Sequence, residues 1–144
     1  MLVEYGIESV NDDTLLRINR GHNYACAADA VRRTAERGIP VGAHMILGLP
    51  GEDREELMRQ ACVLSELPLT TLKLHQLQLI RGTRMAQEYK ECPDDFSLFA
   101  LEDYIETVVD YVERLSPDIV LEQMYLPKAG CFSSYWNPKL RAMA

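Results

Sequence analysis

Val41-Gly42-Ala43-His44-Met45-Ile46-Leu47-Gly48-Leu49-Pro50-Gly51 is the stretch whose reading decides the fold. From Val41 to Leu47 the run is almost continuously apolar. Such a run marks a parallel strand covered on both faces, because a half-solvated antiparallel strand would alternate with polar residues. Breakers bound it on both sides, Gly38-Ile39-Pro40 before and Gly48-Leu49-Pro50-Gly51 after.

Working outward, the same alternation of strand and helix continues in both directions. Residues 2–9 read as a strand, and Asn11-Asp12-Asp13 then supply N-cap chemistry to a short helix with Leu15 and Ile18 on its apolar stripe. Gly21 is placed to end it as a glycine with positive φ. Tyr24, Ala27, Ala28, Val31 and Ala35 recur at spacings of three and four, which predicts a helix over 23–37. After the central strand, Glu52, Asp53, Glu55 and Glu56 crowd a helix start, where acidic groups suit the dipole, and Pro68 stops that helix after Leu67. Residues 71–80 read as a strand whose apolar phase shifts between Leu72/Leu74 and Leu77/Leu79. A bulge, or a strand lining a site with Lys73, His75 and Gln78, would explain the shift. Thr83 caps a short helix to Tyr89, a helix at 101–115 carries Leu101, Tyr104, Ile105, Val108, Val112 and Leu115 on one face, and 119–122 is a fourth strand. The fold class is therefore α/β, with the βα repeat pointing to a partial (β/α) barrel of parallel strands and outer helices over 1–124. Residues 125–144, aromatic-rich with Tyr125, Phe132, Tyr135 and Trp136, show no period and read as an irregular tail.

Composition narrows the function classes. The 144 residues make one domain or part of one, and the net charge of −7 implies no general basic surface for DNA or phospholipid. A local basic groove stays open. No apolar run is long enough to span a membrane and no secretory signal precedes the first strand, so a cytoplasmic location with reduced cysteines is expected. Cys26, Cys62, Cys92 and Cys131 are too far apart for a CxxC or metal-knuckle pair. Strand residues begin at Leu2, and a barrel strand needs a preceding neighbour. The chain is thus expected to be a piece of a longer protein or the product of a truncated gene.

Sites in α/β barrels lie at the C-terminal ends of the strands. That rule singles out Glu8, a charge in an apolar strand, which either accepts hydrogen bonds from ligand hydroxyls or pairs with Arg20. Arg20 is either a dipole-facing cation or a carboxylate clamp. His44 is either a satisfied core residue or a neutral donor and acceptor at the mouth, with no second histidine or acid at ligand spacing. Gly48 either makes a turn or lets a ligand approach the backbone. Lys73 is a weaker Schiff-base candidate, and Arg81-Gly82-Thr83 is a turn or a site wall.

Taken together, Glu4-Tyr5-Gly6-Ile7-Glu8-Ser9-Val10-Asn11-Asp12-Asp13-Thr14-Leu15, Ile18-Asn19-Arg20-Gly21-His22 and His44-Met45-Ile46-Leu47-Gly48-Leu49-Pro50-Gly51-Glu52 resemble the later part of a radical S-adenosylmethionine (SAM) protein. The likeness is to uncharacterised bacterial Elp3/coproporphyrinogen-oxidase-like proteins, over about residues 2–122. It implies the later half of a (β/α)6 barrel and, in the full-length protein, a 4Fe-4S cluster and reductive SAM cleavage to a 5′-deoxyadenosyl radical. By the same likeness Glu8 contacts the SAM ribose, Arg20 binds its carboxylate, and Ile46 and Leu79 flank adenine. His44 stands where relatives often have a ribose-contacting aspartate, so that role is weaker here. The family's CxxxCxxC-like loop is absent from this sequence, so the fragment itself is expected to bind no cluster, to hold SAM poorly and to be inactive. The substrate is unknown, since such proteins act on tRNA, porphyrins and other small molecules. A non-catalytic module that binds a partner, or itself through the open barrel edge, is the alternative reading, and a Lys73 lyase is a third.

Overall fold

The computed structural model describes residues 1–125. The expected strands and helices form in order: β1 (Val3–Glu8), α1 (Asp12–Arg17), α2 (Tyr24–Ala35), β2 (Val41–Leu47), α3 (Arg54–Leu64), β3 (Thr71–Gln76), α4 (Arg84–Glu91), α5 (Leu101–Glu113) and β4 (Val120–Tyr125). Every pairing is parallel and the strand order is β1-β2-β3-β4. That order decides between the two parallel architectures. Right-handed crossovers that always step to the next strand put all helices on one face, as in a barrel wall, whereas an open doubly wound sheet reverses its order.

The helices meet the sheet through alternate residues of each strand. Val41, Ala43, Met45 and Leu47 of β2 and Leu72 and Leu74 of β3 join Ala27, Val31, Leu57, Ala61, Leu64, Tyr104 and Tyr111 in one core. Leu72 and Leu74 are each 0 % exposed, and burying a leucine this way contributes roughly 1.5–3 kcal/mol. The other residues of the same strands, among them His44, Ile46, Lys73 and His75, face away from the helices and are only half-buried. This is the concave inner face.

Three sequence expectations change. Gly21 does not cap α1. Asn19 takes the left-handed position (φ 58), and the Asn19 and Arg20 amides bond back to the Leu16 and Leu15 carbonyls. Asparagine tolerates that conformation because its short amide can bond locally. The third strand stops at Gln76 rather than running to residue 80. Leu77 and Leu79 change phase because the chain has left the sheet, and they pack with Leu49, Phe96 and Leu98 in a second cluster. Helix α5 is rotated from its expected face: Tyr104, Thr107, Val108 and Tyr111 point inward while Leu101 and Ile105 are exposed. The larger area of the two tyrosines outweighs the smaller aliphatic positions. Cys26, Cys62 and Cys92 are free and exposed. Cys131 and all of the aromatic tail beyond Tyr125 lie outside the described residues. Among the described residues no helix is long and apolar enough to cross a membrane.

Candidate functional site

The strand ends on the concave face open into a cleft of about 540 Å³ lined by Glu8, His44, Ile46, His75, Gln76, Leu77 and Gln78. Glu8 reaches it through an unusual backbone. Its φ is +68, and the Ser9 amide bonds to the Ile7 carbonyl at 2.9 Å, two residues back. This is a γ-turn with positive φ, a strained form that for a residue with a side chain stores on the order of 1–3 kcal/mol. The pairing with β2 slips at the same point, between Gly6 and Glu8.

Gly6 supplies the space into which Glu8 and Arg20 fold. A Cβ there would lie 2.5 Å from Glu8 Oε1 and 2.7 Å from Arg20 Nη2. Arg20 donates to the Gly6 carbonyl at 2.8 Å and to His22 Nε2 at 3.1 Å, and its Nη2 stands 3.7 Å from Glu8 Oε1. Its remaining donors are available to a ligand carboxylate. The Glu8 side chain is 19 % exposed, and beyond that ion pair its carboxylate accepts no hydrogen bond from the described residues. Burial pushes its pKa up, against the opposing charges of Arg20, His44 and His22. A half-buried acceptor without donors calls for a hydroxyl or amide partner.

His44 is not alone. Its ring stacks on His75 with centroids 5.2 Å apart and planes 11° apart, and Nδ1 lies 3.1 Å from His75 Nε2. Its Nε2 lies 3.5 Å from Glu4 Oε1. Both nitrogens therefore face protein partners, and His44 offers the cleft its ring more than a free donor. Burial first, then His44 and Lys73, push the His75 pKa down. His75 and Gln78, two of the three residues named for a site-lining third strand, border this cleft, and the β2–β3 register sets Ile46 beside His75.

Lys73 also faces inward, 2.5 Å from Glu4 Oε1 and 3.7 Å from Glu122 Oε1. The hydrogen bond to Glu4 raises its pKa. A Schiff-base lysine needs the reverse shift. Gly48 and Leu79 are not brought to the cleft lining. Gly48 (φ 92) sits beneath segment 97–99, where an added Cβ would meet the Phe99 ring at 3.1 Å, and Leu79 is buried in the second cluster. Thr83 is an N-cap as expected, accepting from the Ala86 amide at 3.2 Å.

Sequence reasoning missed Glu52. Asp53 is the actual cap of α3, while Glu52 is 1 % exposed and accepts the Ser9 hydroxyl hydrogen bond. Burial pushes its pKa up, with the Ser9, Gln60 and Thr14 hydrogen bonds opposing. An acid at this spacing looks the same in sequence whether it faces water or the core.

A family model described as the Radical_SAM C-terminal domain matches residues 69–144, and the Radical SAM superfamily model matches residues 2–60. The chain belongs to the radical SAM superfamily. This radical SAM chain is 34 % identical over 122 residues to the uncharacterized protein YtqA of Bacillus subtilis (strain 168), covering 85 % of this chain and 37 % of that protein. It is 32 % identical over 92 residues to a tRNA uridine(34) acetyltransferase of Dehalococcoides mccartyi (strain CBDB1), covering 62 % of this chain and 20 % of that protein. The solved structure of archaeal Methanocaldococcus infernus Elp3 with an N-terminal deletion superposes with a TM-score of 0.78 at 19 % identity, over 88 % of this chain and 30 % of that one. At that identity the likeness carries the fold, and it agrees with the barrel wall read from strand order. The radical SAM chain thus spans well under half the length of the relatives it matches.

Proposed function

We propose that this chain supplies the ribose- and carboxylate-binding part of the SAM site in a longer radical SAM iron–sulfur enzyme. One observation carries the reading: a half-buried Glu8 carboxylate, lacking donors among the described residues, faces a strand-end cleft beside an Arg20 with donors to spare. Glu8 would accept the hydrogen bonds of two neighbouring ribose hydroxyls. Arg20 would hold the amino-acid carboxylate through parallel N–H donors. Ile46 and Leu77 give the cleft an apolar wall for the adenine face, and the stacked His44–His75 pair stiffens its floor. When bound, SAM supplies one-electron reductive cleavage chemistry at the barrel mouth.

The described residues do not fit the cluster. Cys26 is on α2, Cys62 on α3 and Cys92 at the end of α4, and no group of three His, Cys, Asp or Glu among the described residues could hold a metal ion. In this reading the cluster is held by cysteines elsewhere in the full-length protein. The Lys73 lyase reading has the electrostatics against it, since Glu4 stabilises the ammonium.

The test uses the full-length protein, purified and reconstituted anaerobically with iron and sulfide, then reduced with dithionite in the presence of SAM. Formation of 5′-deoxyadenosine and methionine in equal amounts is expected. A cluster-loaded protein that neither binds nor cleaves SAM would contradict the reading.

A further inference from the structure

We propose that Glu52 is a positioning residue that, through Ser9, holds the turn aiming Glu8 into the cleft. The inference rests on the reading of Glu8 as a SAM ligand and extends it to a side chain that never touches SAM.

Ser9 and Gln60 are each 0 % exposed and Glu52 is 1 % exposed, so the three form a polar knot inside an apolar core. The Ser9 hydroxyl sits at its centre. It donates to Glu52 Oε1, accepts from the Asn11 amide at 3.0 Å, and lies 3.4 Å from Gln60 Nε2. The knot joins four pieces of chain: the end of β1, the start of α1, the loop after β2, and α3. Ser9 is also the residue whose amide closes the γ-turn around Glu8. A strained turn persists only when its surroundings over-determine it, and the Ser9 side chain is the nearest fixed point on its C-terminal side.

Two acceptors in the knot, Glu52 Oε2 and Gln60 Oε1, have no hydrogen-bond partner among the described residues. Buried acceptors in that condition are expensive, and a proton on the Glu52 carboxyl would turn one of them into a donor. The same burial that leaves them unpaired disfavours charge on Glu52. Glu56 is the acid whose charge bears on it. The loop Gly48–Glu52 thereby reaches across to β1, so that the turn following β2 sets the geometry of an acid on β1.

The experiment uses the full-length protein and four variants: Glu52→Gln, Glu52→Ala, Ser9→Ala and Glu8→Ala, plus the Glu8→Ala/Glu52→Ala pair. SAM affinity is measured by equilibrium dialysis, and amide exchange across residues 7–9 is measured without SAM. Glu52→Gln, which mimics the neutral carboxyl, should bind SAM within threefold of the parent. Glu52→Ala and Ser9→Ala should each weaken binding about tenfold, the scale of a lost hydrogen bond to a charged or buried group, and should speed exchange of the Ser9 amide. In the Glu8→Ala background Glu52→Ala should weaken binding no further, although it should still lower the thermal midpoint. A purely structural role would instead give additive losses, and unchanged Ser9 exchange in both Glu52→Ala and Ser9→Ala would overturn the proposal. If the parent protein binds no SAM, the ribose reading fails by itself, and the ligand-free exchange still decides whether Glu52 holds the turn.

Discussion

Replacing Gly6 with valine should weaken SAM binding by the full-length protein at least about 100-fold, the combined effect of losing two charge-assisted contacts worth about 1.5–3 kcal/mol each. The reason is local and steric. The first carbon of any side chain at this position would lie 2.5 Å from the Glu8 carboxylate and 2.7 Å from the Arg20 guanidinium. Both atoms are the far ends of side chains, so they must swing aside, and doing so breaks the Arg20 bond to the Gly6 carbonyl and separates the two groups. Valine's two methyls enlarge the conflict. Gly6 does not have the positive φ that makes substitution costly at Gly48 or Gly51, so the strand itself accepts a side chain, and glycine within a strand is already unfavourable by about 0.5–1 kcal/mol. The thermal midpoint should therefore change far less than the affinity. Equilibrium dialysis beside thermal unfolding separates the two. An affinity within threefold of the parent would mean that Glu8 and Arg20 do not hold the ligand.

The second large effect is expected at Arg20. Arg20→Met removes the carboxylate clamp and should raise the SAM dissociation constant roughly 30- to 100-fold, with Arg20→Lys intermediate because an ammonium cannot make two parallel bonds to a carboxylate. A pH signature should accompany it. Burial raises the Glu8 pKa, and Arg20 is the largest influence opposing that rise. Ligand binding needs the ionised acceptor, so affinity should fall as pH falls through the Glu8 pKa. Loss of Arg20 should move that acid limb to higher pH. The free fold responds with the opposite sign: a carboxyl whose pKa is raised by folding contributes stability below its unfolded value of about 4.3, and that contribution disappears as pH rises through the folded value. Dissociation constants and thermal midpoints of the free protein, both followed as pH falls from 8 toward 4 in parent and variant, check the two statements in turn. An acid limb that stays in place in Arg20→Met would separate Glu8 from binding.

The features legible in the sequence were those set by short-range chemistry. The apolar run Val41–Leu47 marked a parallel strand, although helices cover only one of its faces, and Asn11 and Thr83 were recognisable as N-caps because capping depends on residues two or three apart. The meeting of Glu8 with Arg20 was one of two readings open to each residue: the two form an ion pair, and Glu8 borders the cleft with Arg20 behind it. What stayed hidden depends on contacts made between distant segments. Gly48 looked open to a ligand because nothing nearby in sequence announces that Phe99 folds over it. His44 looked solitary because its partner His75 lies one strand away. Glu52 was taken for one more acid at a helix start, since only the burial of Ser9 and Gln60 around it distinguishes it from Asp53. The end of β3 was overrun because Leu77 and Leu79 are as apolar outside the sheet as strand residues are within it.

The central claim is that Glu8 and Arg20, drawn together over Gly6, grip one SAM molecule at the barrel mouth. An anaerobic crystal structure of the full-length protein with SAM tests it most directly. The ribose hydroxyls should lie about 3 Å or less from the Glu8 carboxylate, with the SAM carboxylate on the Arg20 guanidinium at a similar distance. SAM seated elsewhere, with Glu8 still paired only to Arg20, would contradict the account.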